Sequence, residues 1–288
     1  MRIELFVALR YLRARRKRAV VSLVTIISIV GVGAGVAALD IALALNTGFQ
    51  KEFQNRILST TSHVNLFQLG EGPLSDYEEL KKSIRQIPEL KRISPVIYGQ
   101  ALLVSNLREQ PAVLKGVTIG PGDALDLAPK ITEGSLDRFL DTSPVPAVVL
   151  GKNLASALGV SVGDDIRAVG FRGELSPLGR MPRIKTFRVA AIFSSGLWQY
   201  DSSWAVIPIR AAQIFVGYAE NQVTTLEFHI EDMYKAPDIA DKIQQIVGKG
   251  YGTNTWIELN RPLFSALKLE KLAMFIAIGL IVLVASLN

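Results

Sequence analysis

Cysteine is absent from this chain of 288 residues, and histidine occurs only twice, at His63 and His229. The first absence excludes disulfide cross-links and thiolate metal sites. The second leaves little for imidazole chemistry: each histidine lies inside an alternating strand pattern with no HExxH run, so ordinary packing is expected for both. A phosphate-binding loop is also missing, since Gly151-Lys152 has neither the upstream glycine nor the following hydroxyl residue. There is no GxSxG elbow, and Asp164-Asp165 after Gly163 read as a turn before a strand rather than as paired catalytic carboxylates. These gaps count against an enzyme, and they place no metal, no cofactor and no ATP on this chain.

The charge balance is easily misread. Net charge is +6, but seven of the 32 lysines and arginines fall within the first 18 residues, and no basic stripe with interleaved aromatics follows. No nucleic-acid partner is expected. The cluster Arg13, Arg15, Arg16, Lys17 and Arg18 instead precedes AVVSLVTIISIVGVGAGVAAL, Ala19 to Leu39, an uncharged run of 21 residues. At about 1.5 Å per residue, such a helix just spans roughly 30 Å of hydrocarbon. Cations resist translocation, so the helix runs from the cytoplasm outward and the following chain is extracytoplasmic. A signal peptide would have a shorter apolar core and a cleavage site close behind. Before the run, residues 2–13 fit either an amphipathic helix on the inner leaflet, in contact with membrane lipids, or a continuation of the span. Gly31, Gly33 and Gly35 form a small-residue face suited to a partner helix. Asp40 meets interfacial water or a polar cavity.

Beyond the span, Leu45, Phe49, Phe53 and Ile57 recur every four residues, which extends the helix as a stalk. Strand alternation follows over His63 to Leu69, then a helix opened by Ser75 with Glu78 in capping-box spacing, then a strand from Ile93 to Val104. The same order returns late in the chain: strand Thr224 to Ile230, helix Pro237 to Val247 with Ile239, Ile243 and Ile246 on one face, strand Tyr251 to Ile257. Between them lie Gly- and Pro-rich strand patterns and a short helix ended by Gly159. Pro177, Gly179 and Pro182 break residues 173–183 too often for regular structure, so this stretch reads as a projecting loop with Leu178 and Met181 exposed. Leu272 to Leu287 is a second apolar run of 16 residues, shorter than a full crossing, so the chain reads as truncated within a second span.

The fold class expected is therefore an α+β membrane protein: transmembrane helices and a large outer α+β domain carrying an inserted, mostly-β part. Residues 1–18 are the cytoplasmic amphipathic segment, 19–45 the first transmembrane helix and 46–61 the stalk. Residues 62–110 with 209–259 form the α+β domain, 111–208 the inserted part, and 260–288 a second stalk and the start of a second transmembrane helix.

Several motifs, in order along nearly the whole chain, resemble the lipoprotein-releasing ABC permeases of the LolC/LolE group: LRYLRARRKR, GFQKEFQNRIL, VVLGKNLASALGVSVGDDIR, SPLGRMP and the closing LFSALKLEKLAMFIAIGLIVLVASLN. The LGxxLA run is shared with the wider MacB/FtsX-like permeases, whose mechanotransmission members are the alternative within the superfamily. A membrane-anchored extracytoplasmic sensor or binding protein is the alternative outside it. The resemblance implies a bacterial inner-membrane, multi-pass permease with a porter-like periplasmic domain. The implied partners are a LolD-like cytoplasmic ATPase that binds ATP and Mg, a second permease subunit in a homo- or heterodimer, a LolA-like periplasmic chaperone and lipoprotein substrates. It implies a chaperone-binding hook at Ser176, Pro177, Leu178, Gly179, Arg180, Met181 and Pro182, where two prolines limit the entropy lost on docking. It also suggests a lipoprotein cavity lined by Leu45, Phe49, Phe53, Leu263, Phe264 and Leu267, positions for which plain helix packing is the competing reading. Thr47 and Asp40 depart from the family pattern.

Overall fold

The computed structural model describes residues 19–58, 61–70, 72–118, 128–140, 143–171, 174–176 and 179–287. The chain divides into two compact units, one of residues 1–53 with 261–288 and one of residues 54–260. The expected amphipathic segment 1–18 lies outside the described residues.

The described residues of the first unit are helical. Helix α1, Ala19–Leu58, runs unbroken for 40 residues through the expected span and stalk. Its stretch Leu23–Gly48 has a mean hydropathy of 2.2 and is long and apolar enough to cross a membrane. Its glycines 31, 33 and 35 have open space where a side chain would stand. A helix this apolar with no buried face gains nothing in water, whereas in lipid its backbone is satisfied internally.

The second unit is built on one ten-stranded sheet. Strand β1 (Val64–Gln68) leads to the short β2 (Leu74–Ser75), helix α2 (Tyr77–Ile84), the 15-residue β3 (Leu90–Val104) and β4 (Glu109–Val117). Next come β5 (Ile131–Gly134), β6 (Ala147–Gly151), α3 (Lys152–Leu158), β7 (Asp165–Gly170), β8 (Glu174–Ser176), β9 (Gly179–Met181) and β10 (Ile184–Phe193). The unit closes with α4 (Trp198–Ser203), β11 (Trp204–Pro208), α5 (Ile209–Val216), β12 (Gln222–Val223), β13 (Thr225–Ile230), α6 (Ala236–Val247), β14 (Tyr251–Thr255) and α7 (Trp256–Leu259). Helix α8, Arg261–Leu287, returns to the first unit as one continuous helix.

Strand β3 joins two arrangements. Its first half, up to Val96, pairs antiparallel with β13, which continues the order to β1 and β14. Its second half pairs with β4 on one side and, from Ala101 to Val104, with β7 on the other. Because β4 pairs β11, β11 pairs β6, β6 pairs β10 and β10 pairs β7, six strands close into a ring. Closure leaves those strands no open edge along the paired stretches. The strands between 111 and 208 thus add to the same sheet as the flanking halves. One core lies under Val96, Val117, Val149, Ala191, Phe193 and Val206, with Phe139 against it. Strand β6 is buried at all five positions, which explains its continuous apolar run AVVLG.

Several local expectations change. Ser75 caps no helix: it lies in β2, and α2 begins after Asp76, whose backbone is left-handed (φ 52°) and whose side chain makes no cap bond. The capping box is instead at Thr255 and Glu258, so the strand expected to reach Ile257 gives way to α7 at Trp256. On α6, Ile239 and Ile243 are buried but Ile246 is exposed. A helix of 12 residues turns its third isoleucine away once Ala236 and Ala240 share the packed face.

Candidate functional site

Residues 173–183 were expected to lack regular structure. They hold a hairpin, with Glu174↔Met181, Leu175↔Arg180 and Ser176↔Gly179 paired antiparallel. Residues 177 and 178, at its tip, lie outside the described residues. The physical reason is register. Strands β7 and β10 already pair Val169 with Ile184, Gly170 N–H donates to the Arg183 carbonyl at 2.8 Å, and β8–β9 carries the same pairing outward. Pro182 falls beyond the Glu174–Met181 pair, where the ladder needs no N–H. Met181 and Pro182 are exposed; nothing further is described of the side chains at 172–180. At the hairpin base, the Arg183 guanidinium lies over Gly217, whose left-handed backbone (φ 81°) ends α5. There a cation meets the carbonyl end of a helix, a favourable arrangement.

The six expected cavity positions lie on α1 and α8. Leu45 is 70% exposed, and Leu263 and Leu267 are half-buried. Of Phe49, Phe53 and Phe264, only the helical placement is described. A polar contact links the two helices: the Asn46 amide donates to Glu270 Oε1 at 2.6 Å. Moving toward the second unit from there, Phe49 and Phe53 follow on one helix and Leu267 and Leu263 on the other. Connectivity thus brings both sets to the same stretch.

A buried polar cluster went unrecognised in the sequence. Lys115 Nζ sits 3.0 Å from Glu227 Oε2, and the Tyr98 hydroxyl donates to Glu227 Oε1 at 2.6 Å. The ammonium also lies 5.2 Å from the Trp204 ring centre and 5.6 Å from that of Tyr98, and Tyr200 packs edge-on against Trp204 at 4.4 Å. Burial pushes the Glu227 carboxyl up, but the Lys115 charge and the Tyr98 and Lys115 hydrogen bonds outweigh it and hold the group below its ordinary value. Burial, then the neighbouring carboxylate, raises the Tyr98 hydroxyl well above its ordinary range. The only hint in the sequence was a charged residue at an inward position of two strand patterns, AVLKGV and TLEFHI. On the surface, Arg188 holds Asp165 in a two-pronged pair at 2.8 and 2.9 Å. The two histidines stand 5.4 Å apart; the Ile230 N–H donates to His63 Nδ1, and Arg92 Nη2 lies 3.1 Å from His229. Among the described residues, no group of three or more histidine, aspartate or glutamate side chains is placed to hold a metal ion.

Comparison with known proteins gives these features a family. The family model of the MacB-like periplasmic core domain matches residues 25–246. The lipoprotein-releasing system transmembrane protein LolC of Xylella fastidiosa (strain 9a5c) is 32% identical over 287 residues, covering 99% of this chain and 68% of that protein. The lipoprotein-releasing system transmembrane protein LolE of Haemophilus influenzae is 26% identical over 292 residues, covering 100% of this chain and 69% of its own length. Among solved structures, the periplasmic region of MacB from Actinobacillus actinomycetemcomitans aligns with 70% of this chain and 92% of its own, at 12% identity and a TM-score of 0.45. The chain belongs to the LolC/LolE family of transmembrane proteins, within the MacB-like permeases.

Proposed function

We propose that the chain is the permease subunit of an ABC transporter that extracts lipoproteins from the outer leaflet of the inner membrane and passes them to a periplasmic chaperone. The observation that carries this reading is the match along 99% of the chain to a lipoprotein-releasing protein. A LolD-like ATPase subunit supplies ATP hydrolysis with bound Mg, and a second permease subunit completes the membrane part. The large unit faces the periplasm. At about 0.8 kcal/mol per buried methylene, three long acyl chains hold a substrate in the bilayer by on the order of 35 kcal/mol. Extraction therefore needs external work and a substitute apolar surface. The stretch of α1 and α8 with Leu45, Phe49, Phe53, Leu263, Phe264 and Leu267 is suited to supply that surface, and the hairpin 174–181, with Met181 59% exposed, is suited to receive the chaperone.

The test is release of a radiolabelled lipoprotein from proteoliposomes holding the full permease and its ATPase, with the chaperone added. Wild type should transfer lipoprotein to the soluble fraction only with both ATP and chaperone. Variants Arg180→Glu, or Leu178→Asp with Met181→Asp, should lose chaperone capture while inserting normally. Undiminished capture by both variants would remove the hairpin from the proposal; failure of wild type to release any lipoprotein would remove the function.

A further inference from the structure

Strand β3 has a break in its pairing. On the side shared by β13 and β7, pairing with β13 stops at Val96 and pairing with β7 starts at Ala101. The four residues between, Ile97 to Gln100, have no strand paired with them there among the described residues, a gap in the ladder of roughly 13 Å at 3.3 Å per residue. On the other side the ladder with β4 is continuous.

In an antiparallel ladder, N–H and C=O groups of alternate residues point to the same side. The Val96 carbonyl accepts from Thr224 N–H at 3.0 Å, so the even-numbered residues face the gap. Tyr98 N–H donates to Thr224 Oγ1 at 3.1 Å. The Tyr98 carbonyl and the Gln100 N–H remain directed into the gap, one residue apart. Acceptor and donor in that spacing match a single residue of an extended chain running parallel to β3, which would offer its own N–H and C=O to them.

The gap opens into a cleft of about 910 Å³. Its walls include Phe171, Phe215, Tyr218 and Pro73, and among the described residues none that lines it is charged. Gly99 lets α5 approach the strand closely beside the cleft, since a Cβ there would stand 3.0 Å from Val216 Cγ1. An acyl chain would cover two backbone polar groups without replacing their hydrogen bonds, which disfavours lipid as the occupant. An ionic segment would lose its hydration against uncharged walls.

We infer that this cleft recognises the backbone of an extended, uncharged polypeptide segment: the tether that links the lipid anchor of a lipoprotein substrate to its folded part. The inference rests on the function proposed above. The cleft grips main chain rather than side chains, so it accepts tethers of differing sequence, while aromatic walls exclude charged stretches.

The test uses the full permease with its ATPase in membranes, carrying a photo-crosslinking residue at Gln100 or Phe171, with Tyr234, 61% exposed and outside the cleft lining, as control. Adducts to a reporter lipoprotein that map to its tether at Gln100 and Phe171, and not at Tyr234, are expected. Independently, proline scanning of the reporter tether should lower release about fivefold at one or two positions, the worth of one net hydrogen bond, while alanine at those positions leaves release unchanged. Adducts to the chaperone, to a second copy of the chain or to lipid alone overturn the inference. So does a complex that releases the reporter normally with no tether adduct, or a tether indifferent to proline. A wild-type complex that releases no lipoprotein overturns the proposed function, and this inference with it.

Discussion

Replacing Lys115 by methionine isolates the buried carboxylate of Glu227. The substitution keeps most of the side-chain volume and removes the charge 3.0 Å from Oε2, leaving Tyr98 as the remaining hydrogen-bond partner. Glu227 is 4% exposed, so the carboxylate cannot reach water without local opening. Removing one partner of a buried ion pair costs about 3–5 kcal/mol. For a unit of this size, each kcal/mol lowers the melting temperature by roughly 2–4 °C, so the expected drop at pH 7 is roughly 6–20 °C. The dependence on pH should also change sign. In the native protein the Glu227 carboxyl is held below its ordinary value of 4.5, so its contribution is fully present above that pH and is lost as pH falls through the lowered folded value. Without Lys115, burial prevails and the folded value rises above the ordinary one. Stability is then present when the group is protonated and is lost as pH rises through the raised value. Urea unfolding of residues 54–260, followed by the fluorescence of Trp204, whose ring lies 5.2 Å from the Lys115 ammonium, reads both effects. The deficit should be largest at neutral pH and shrink toward pH 4. Adding Glu227→Gln should recover part of the loss, because the two changes are coupled. A loss under about 1 kcal/mol at pH 7, or a double variant whose loss equals the sum of the singles, would refute the reasoning.

Other perturbations test separate parts of the fold. Gly217→Ala places a Cβ 2.0 Å from Arg183 Nη1 on a backbone with φ 81°, so it should destabilise by about 1–3 kcal/mol in the same assay and loosen the hairpin base, read as faster proteolysis at 174–181. Gly116→Val drives a side chain into Ala212, 2.2 Å from the new Cβ, and should cost more than the same change at Gly163, where nothing lies within 4 Å, once the left-handed backbone there is allowed for by a Gly163→Asn control. Thr255→Ala removes the cap of α7 and should cost about 1 kcal/mol, with Thr255→Ser nearly neutral. Asn46→Leu removes the contact to Glu270 and should alter disulfide trapping between cysteines introduced at positions 49 and 267; an unchanged trapping rate would show that the contact does not hold the helices.

Legibility in the sequence followed the range of the interactions involved. The repeated strand-helix-strand order at both ends of the outer region was readable because an amphipathic period is local: Pro237 to Val247 encodes α6 within itself. Capping was less readable. Ser75 with Glu78 has the right spacing, but pairing of Leu74 and Ser75 with Val223 and Gln222 pulled Ser75 into a strand, and the box formed at Thr255 instead. The hairpin at 174–181 was hidden because its residues have poor strand preference; its pairing is imposed by β7 and β10, which enter it already in register. Of the candidate hairpin site, the motif SPLGRMP located the segment and the backbone partners gave it form.

The sequence by itself determined the apolar helix from Ala19, its continuation as a stalk, the absence of metal-binding and nucleotide-binding motifs, and the positions of most strands. Each follows from composition or from a period of a few residues. Only the tertiary structure decided that β3 serves two arrangements, that six strands close through β7, that Lys115, Tyr98 and Glu227 meet, and that a gap opens beside Gly99. These features join residues far apart in the chain, 63 positions for Val104 and Arg167 and 129 for Tyr98 and Glu227, and their energy lies in pairing and desolvation, which no local pattern records.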